Sequence, residues 1–170
     1  MLKTLRENVI ASGILTLVRL YLGWAWLTAG WGKITGGFDA SGFLVGAVKK
    51  ASGDHPAVQD WWAGFLQNVA IPNVSFFNFI VPWGELLVGL GLILGVATTF
   101  AALMGIVMNF AFMLSGTTSA NPQMALLTIF IIVAGANAGR IGLDHYIIPY
   151  LKQTFKKGVF QHKNPSHAVS

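Results

Sequence analysis

Two charged residues lie inside long apolar stretches of this 170-residue chain. Glu85 stands in VPWGELLVGLGLIL and Arg19 stands in LTLVRLYLGWAWL. A charge held in hydrocarbon costs at least about 2.5 kcal/mol, so such residues persist mainly where they pair inside a helix bundle or take part in transport or proton chemistry. Glu85 and Arg19 are therefore the first candidates for a functional site.

The stretches that hold these residues have the length of membrane spans. The chain is 54% apolar and only 10% charged, whereas soluble domains average about 25% charged residues. About 20 helical residues cross a bilayer core, and four stretches come close to that length, at 13–34, 76–96, 99–115 and 123–143. Short connections join the last three. We predict an all-α transmembrane four-helix bundle with up-and-down topology.

Basic residues predict the orientation of this bundle. They flank the first and last stretches, as Lys3, Arg6, Arg140, Lys152, Lys156, Lys157 and Lys163. The positive-inside rule places both termini in the cytoplasm of a multi-pass plasma-membrane protein, and the formal charge of +5 favours contact with membrane lipid over nucleic acid. Residues 1–158 would form one membrane domain and 159–170 a disordered tail. Arg140 and Asp144 stand four residues apart, so we predict that they form an ion pair.

Short amphipathic segments lie outside the four stretches. The loop of residues 35–75 contains two of them, around Phe43–Val48 and Trp61–Val69, and a third follows the last stretch from Asp144. Their apolar residues recur at helical spacing, which predicts short helices lying in the membrane interface. The loop aromatics either anchor the loop at head-group depth or form a lid over a site that opens to the outer leaflet.

Three polar residues share the predicted interior of the bundle. Arg19, Glu85 and Asn109 each lie on a stripe of small residues at alternating spacings of three and four, the stripe expected to face other helices. At about 1.5 Å of rise per residue, Arg19 and Glu85 lie roughly 9 Å and 14 Å from opposite boundaries, with Asn109 at a similar depth. We predict a cluster of these three near the midplane, with Lys33 as the rival partner of Glu85.

Two functions are open to such a cluster. It either fixes the register of the helices, or binds and exchanges protons with a small polar head group such as a quinone carbonyl. Trp26 and Trp83 are candidate walls of that pocket. The chain has no cysteine and no histidine within the four stretches, so we expect no haem, iron-sulfur cluster or other metal site. A partner protein or a diffusible quinone would have to carry any electrons.

Four motifs resemble the DoxX/DoxD superfamily. They are R-x3-G-x6-G-x2-K from Arg19 to Lys33, PWGELLVGLGLILG around Glu85, Asn121-Pro122 before the fourth stretch, and GANAGRIGLD from Gly135 to Asp144. The resemblance covers about residues 13–150 and implies a small four-helix membrane protein. Its name-giving members are subunits of a thiosulfate:quinone oxidoreductase, and others are linked to redox-stress membrane complexes. The enzyme's second, DoxA-type region is not found in this sequence, so thiosulfate oxidation is not implied for this chain alone.

The resemblance leaves two main hypotheses. In the first, the chain is a subunit of a quinone-linked oxidoreductase in which Arg19, Glu85 and Asn109 line the head-group site and Lys33 attracts an anionic substrate. In the second, it is a non-catalytic membrane anchor or assembly partner of a redox or stress-response complex. Either role implies a redox protein partner or a homo-oligomer. A small transporter is a third and weaker hypothesis, supported by a single intramembrane carboxylate.

Overall fold

A computed structural model describes residues 2–162 of the chain, and the side chains of residues 2–154. Within that range the protein is helical and has no strand, which confirms the predicted all-α class. The helices are α1 (Leu2–Glu7), α2 (Val9–Thr35), α3 (Ser41–Lys49), α4 (Asp60–Phe65), α5 (Val74–Leu94), α6 (Thr98–Leu114), α7 (Asn121–Ala134) and α8 (Asp144–His162). A π-helical turn, Leu66–Ala70, continues α4, and a 3₁₀ turn, Gly135–Asn137, follows α7.

Helices α2, α5, α6 and α7 pack together around one apolar core. Helix α2 contacts α5 and α7, and α6 packs between α5 and α7. The core is built from side chains of all four helices, among them Leu22, Trp26, Val88, Leu92, Ala102 and Ile131. We call the end that carries α1, the α5–α6 turn and residues 135–144 the basic end. The opposite end, where α3 and α4 lie, is the loop end.

The length of these helices bears on the predicted spans. Helices α2, with 27 residues, and α5, with 21, are long and apolar enough to cross a membrane, whereas α6 and α7 are shorter apolar helices. The predicted fourth span is too long at its C-terminal end, because α7 stops at Ala134. Gly135 has a φ of +58°, a left-handed value that favours glycine and ends a helix. The arrangement of all four helices as spans stays a prediction.

The outward faces of the bundle helices are apolar. Large side chains such as Leu17, Trp24, Phe79, Leu87 and Phe100 are each more than 60% exposed. Soluble monomers rarely expose contiguous apolar surface on this scale, and such surface marks contact with a membrane or another protein.

Glycines on the inner stripes bring α2 and α5 into backbone contact. A Cβ at Gly89 would lie 2.5 Å from the amide nitrogen of Leu27, and one at Gly30 would lie 2.6 Å from that of Leu86. Both distances are shorter than any real Cβ contact, so only glycine permits this spacing of the helices. The predicted inward orientation of these small-residue stripes is confirmed.

The long loop caps one end of the bundle. Helices α3 and α4 are the two short helices predicted there, and Leu44, Ala47, Leu66 and Ala70 give them a core of their own. Lys50 donates a hydrogen bond of 3.0 Å to the carbonyl of Gly116 in the α6–α7 connection.

Asp39 holds the start of α3 to the side of α5. Its carboxylate accepts hydrogen bonds from the backbone and hydroxyl of Ser41 and from the side-chain amide of Asn78. These bonds favour the ionised form and hold the pKa of Asp39 below its usual value.

Two differences concern the chain ends. A separate helix α1, which the sequence did not predict, precedes α2, and Asn8 divides them by accepting hydrogen bonds from the amides of Ile10 and Ala11. The helix predicted after the last stretch is α8. The predicted disordered tail, residues 159–170, begins too early, because residues 159–162 belong to α8. Its remainder, from residue 163 onward, lies outside the described residues and stays a prediction.

Candidate functional site

The buried carboxylate of Glu85 pairs with Lys33, not with Arg19. The Nζ of Lys33 lies 2.7 Å from Oε2 of Glu85, and the two side chains are 28% and 1% exposed. Helix α2 runs past α5 with Gly30 opposite Pro82 and Leu86, which brings Lys33 to the level of Glu85 near the loop end. The rival partner named from the sequence is therefore the partner in the structure.

Arg19 lies too far along the bundle to reach Glu85. A Cβ at Gly95 would touch its guanidinium, and Gly95 is ten residues, or about 15 Å of helix, beyond Glu85. Arg19 instead donates hydrogen bonds to the carbonyls of Ile141, at 2.7 Å, and Ala138, at 3.4 Å. The prediction that Arg19 lies in a cluster with Glu85 and Asn109 is wrong. Arg19 instead binds backbone carbonyls of the chain that follows α7.

Asp144 has a structural role at the same end of the bundle. Its two carboxylate oxygens accept hydrogen bonds of 2.7 Å and 2.8 Å from the backbone amides of Ala97 and Thr98, the first amides of α6. These amides have no partner within the helix, and a carboxylate also offsets the positive end of the helix dipole. Asp144 thus joins the start of α8 to the start of α6.

The predicted ion pair of Arg140 with Asp144 is absent from residues 2–154. Arg140 is exposed and its Nη1 lies 3.4 Å from the carbonyl of Glu7 in α1. The prediction assumed a continuous helix through residue 143, in which residues four apart share a face. The chain is not helical from 138 to 143, so that spacing no longer applies.

We expect Asp144→Asn to destabilise the protein by about 2 kcal/mol. The amide keeps one acceptor oxygen, but it loses the charge that strengthens both hydrogen bonds and leaves one helix amide without its acceptor. Thermal unfolding of the purified protein in detergent measures the loss. An unchanged midpoint would contradict the capping role, and Asp54→Asn, an exposed loop change, is the control.

Two side chains near the ion pair have buried polar atoms without a hydrogen-bond partner among the described residues. They are the indole nitrogen of Trp26 and both amide atoms of Asn109, whose side chains are 3% and 0% exposed. Buried polar groups in proteins almost always have partners, so each exception calls for an explanation such as a water or a ligand.

These residues lie at neighbouring depths in the bundle. A Cβ at Gly105 would lie 3.1 Å from Nε1 of Trp26, and one at Gly84 would lie 3.5 Å from the sulfur of Met108. Glu85 and Asn109 follow Gly84 and Met108 in sequence, so they lie at a similar depth, with the Trp26 indole about one turn nearer the basic end. No hydrogen bond among the described residues joins Glu85 to Asn109, so their predicted grouping in one site stays a prediction.

An apolar groove lies between α5 and α6, and its lining residues do not include Trp26, Lys33, Glu85 or Asn109. Its volume is about 650 Å³, within the range of small-molecule sites, about 300–1,000 Å³. Gly84, Val88 and Met108 belong to its wall, and Trp62 and Phe65 of α4 close it at the loop end. No pattern in the sequence predicts this groove, because a cavity depends on how far two helices diverge and leaves no periodic signal in either helix.

Trp83 does not belong to this site. It is 44% exposed and packs against Phe79 on the outer face of α5, with ring centroids 6.1 Å apart. Its neighbour Gly84 faces α6 and lines the groove. Trp83, one residue earlier in the same helix, points to the outer surface instead. The prediction of Trp83 as a pocket wall is wrong, whereas Trp26 does face the interior.

Comparisons with known proteins agree with the motifs. The family model named DoxX matches residues 14–118, more than half of the chain, and this range includes Lys33, Trp26, Glu85 and Asn109. A search of curated proteins finds no match, and neither does a search of solved structures. The matched range runs from α2 into the α6–α7 connection, so the chain belongs to the DoxX family of membrane proteins.

Proposed function

We propose that this DoxX protein is a multi-pass plasma-membrane subunit that binds a quinone for a redox partner protein, with both termini in the cytoplasm. Four helices would cross the bilayer, and the basic end would face the cytoplasm, because Lys3, Arg6, Arg140 and Lys152 lie there. The loop end, with α3 and α4, would then lie at the outer interface.

The proposal rests on two buried side chains without hydrogen-bond partners, Trp26 and Asn109, which lie near the apolar groove without lining it. Val88 of the groove wall and the Trp26 indole both lie within 3.2 Å of a Cβ at Gly105. Trp26 offers one donor, and Asn109 offers donors and an acceptor, with no described residue to bond them. A quinone head group presents carbonyl acceptors when oxidised and hydroxyl donors when reduced. The groove is lined almost entirely by apolar side chains, as a bound prenyl tail would require.

The buried ion pair supplies a route for protons. Reduction of a quinone consumes two electrons and two protons, and the electrons would come from the partner protein. Glu85 lies at a depth similar to that of Asn109 and about one turn from Trp26, while Lys33, its partner on the side of the loop end, is 28% exposed. The carboxylate could therefore exchange a proton with the head group and with the outer surface through Lys33.

Matched tryptophan variants test the proposal. We expect Trp26→Phe to weaken the binding of ubiquinone and menaquinone analogues about tenfold, because one hydrogen bond to the head group is lost. Trp83→Phe removes the same group from the outer face of α5 and should leave binding unchanged. Binding is measured by the shift in thermal unfolding of purified protein in neutral detergent. Equal effects of the two variants, or no binding by the parent protein, would refute the quinone site.

A non-catalytic membrane anchor is the second candidate. One observation favours it: Arg19, Gly95, Gly142 and Asp144 of the family motifs contact backbone at the basic end rather than a pocket. An anchor would keep its partner bound when Glu85 is changed to Gln. Co-purification of the partner with Glu85→Gln, together with no quinone binding by the parent protein, would identify the anchor role.

A further inference from the structure

A second recess lies at the basic end, away from the layer of Glu85. It has a volume of about 280 Å³ and is bounded by α1, the chain after α7 and the first turns of α8. Its ionisable lining residues are Arg6, Arg140, His145 and Asp144. Three separate parts of the chain thus direct basic side chains into one shallow cavity.

The charges of this recess leave it with a positive potential. Asp144 is its acidic residue, and both of its oxygens already accept hydrogen bonds from the α6 amides. Arg6 donates through Nε to the carbonyl of Val133, at 3.0 Å, which fixes the direction of its guanidinium. Its terminal amino groups have no partner among the described residues, and Arg140 makes one long contact of 3.4 Å to Glu7.

Apolar side chains complete the wall of the recess. Ala136, Ile148 and Pro149 line it beside the basic residues, and Tyr146 and Tyr150 on the same helix α8 are 72% and 69% exposed. Exposed tyrosines of this kind are enriched at the boundary between hydrocarbon and water. A free inorganic anion makes no use of an apolar wall, whereas a lipid places its acyl chains against it.

We propose that this recess binds the phosphate group of an anionic phospholipid, with Arg6 and Arg140 as its ligands and the acyl chains against Ile148 and Pro149. Guanidinium groups bind phosphate oxygens through paired, charge-assisted hydrogen bonds. Basic pockets at the cytoplasmic side of membrane helices are suited to anionic head groups. This site is independent of the quinone proposal, since no residue is common to the two.

Lipid titrations with charge-matched variants test the site. Purified protein in neutral detergent is titrated with phosphatidylglycerol, phosphatidylcholine or inorganic phosphate, and the thermal unfolding midpoint is followed. We expect phosphatidylglycerol to raise the midpoint, with an apparent affinity weakened about tenfold by Arg6→Gln and by Arg140→Gln. Lys3→Gln removes the same charge from α1 outside the recess, and we expect a change of less than about twofold.

Each other outcome would overturn the proposal. An equal loss of affinity in Lys3→Gln would mean that the whole basic surface attracts lipid without a defined site. Stabilisation by inorganic phosphate equal to that by phosphatidylglycerol would mean that the recess binds a free anion. Because Arg6 also contacts Val133, each affinity is taken relative to the lipid-free midpoint of the same variant, and Arg140→Gln repeats the test without that contact.

Discussion

Replacing Lys33 with methionine is expected to destabilise the protein by about 3–5 kcal/mol, the range observed when one partner of a buried ion pair is removed. The carboxylate of Glu85 is 1% exposed, so without Lys33 it would either stay charged in an apolar layer or take up a proton, and both states cost free energy. Unfolding of purified protein by a denaturing detergent measures the loss.

The reverse change should cost much less. In Glu85→Gln the ammonium group of Lys33 is already 28% exposed, and its flexible stem lets it turn toward the loop end and water. We therefore expect the double variant Lys33→Met/Glu85→Gln to be more stable than Lys33→Met alone. If the single and double variants unfold at the same point, the pair is not coupled and the assignment of Lys33 as the partner of Glu85 fails.

The spacing of small and polar residues was enough to predict which helix faces are buried, but it did not predict which charged side chains form a pair. The stripes through Arg19 and Glu85 do face inward, because small and polar residues at helical spacing mark contact surfaces whatever the vertical alignment of the helices. The vertical alignment of the two helices depends on where glycines such as Gly30 contact the backbone of the neighbouring helix. Counting depth from assumed membrane boundaries put Arg19 within about 7 Å of the level of Glu85 in a core of about 30 Å, whereas the two lie about 15 Å apart along the bundle. This error assigned the wrong cation to Glu85.

The roles of the motif residues at the basic end also depended on tertiary structure. The sequence pattern placed Gly135, Arg140 and Asp144 at the end of a fourth span. In the structure α7 ends before them, because Gly135 has a positive φ. Asp144 can then reach the α6 amides instead of Arg140. A glycine inside an apolar run is equally compatible with helix packing and with helix termination, so the sequence alone could not decide between them.

Alanine at Gly89 is expected to destabilise the protein by about 3 kcal/mol, the upper part of the range for overpacked cores. The added methyl group would lie 2.5 Å from the amide nitrogen and 2.7 Å from the Cα of Leu27. These are backbone atoms that cannot rotate away, so α2 and α5 must move apart. The same movement would draw Lys33 away from Glu85, and we expect the variant to lose quinone binding as well as stability.

Gly32→Ala provides the matched control on the outer face of α2. No atom lies within 4 Å of a Cβ at this position, so the change adds only the helix preference of alanine over glycine, up to about 1 kcal/mol in a helix interior. Identical substitutions should therefore change the free energy of unfolding in opposite directions, downward at Gly89 and upward at Gly32. A Gly89→Ala variant as stable as Gly32→Ala would mean that α2 and α5 do not meet through backbone contact, and the alignment that brings Lys33 to Glu85 would lose its physical basis.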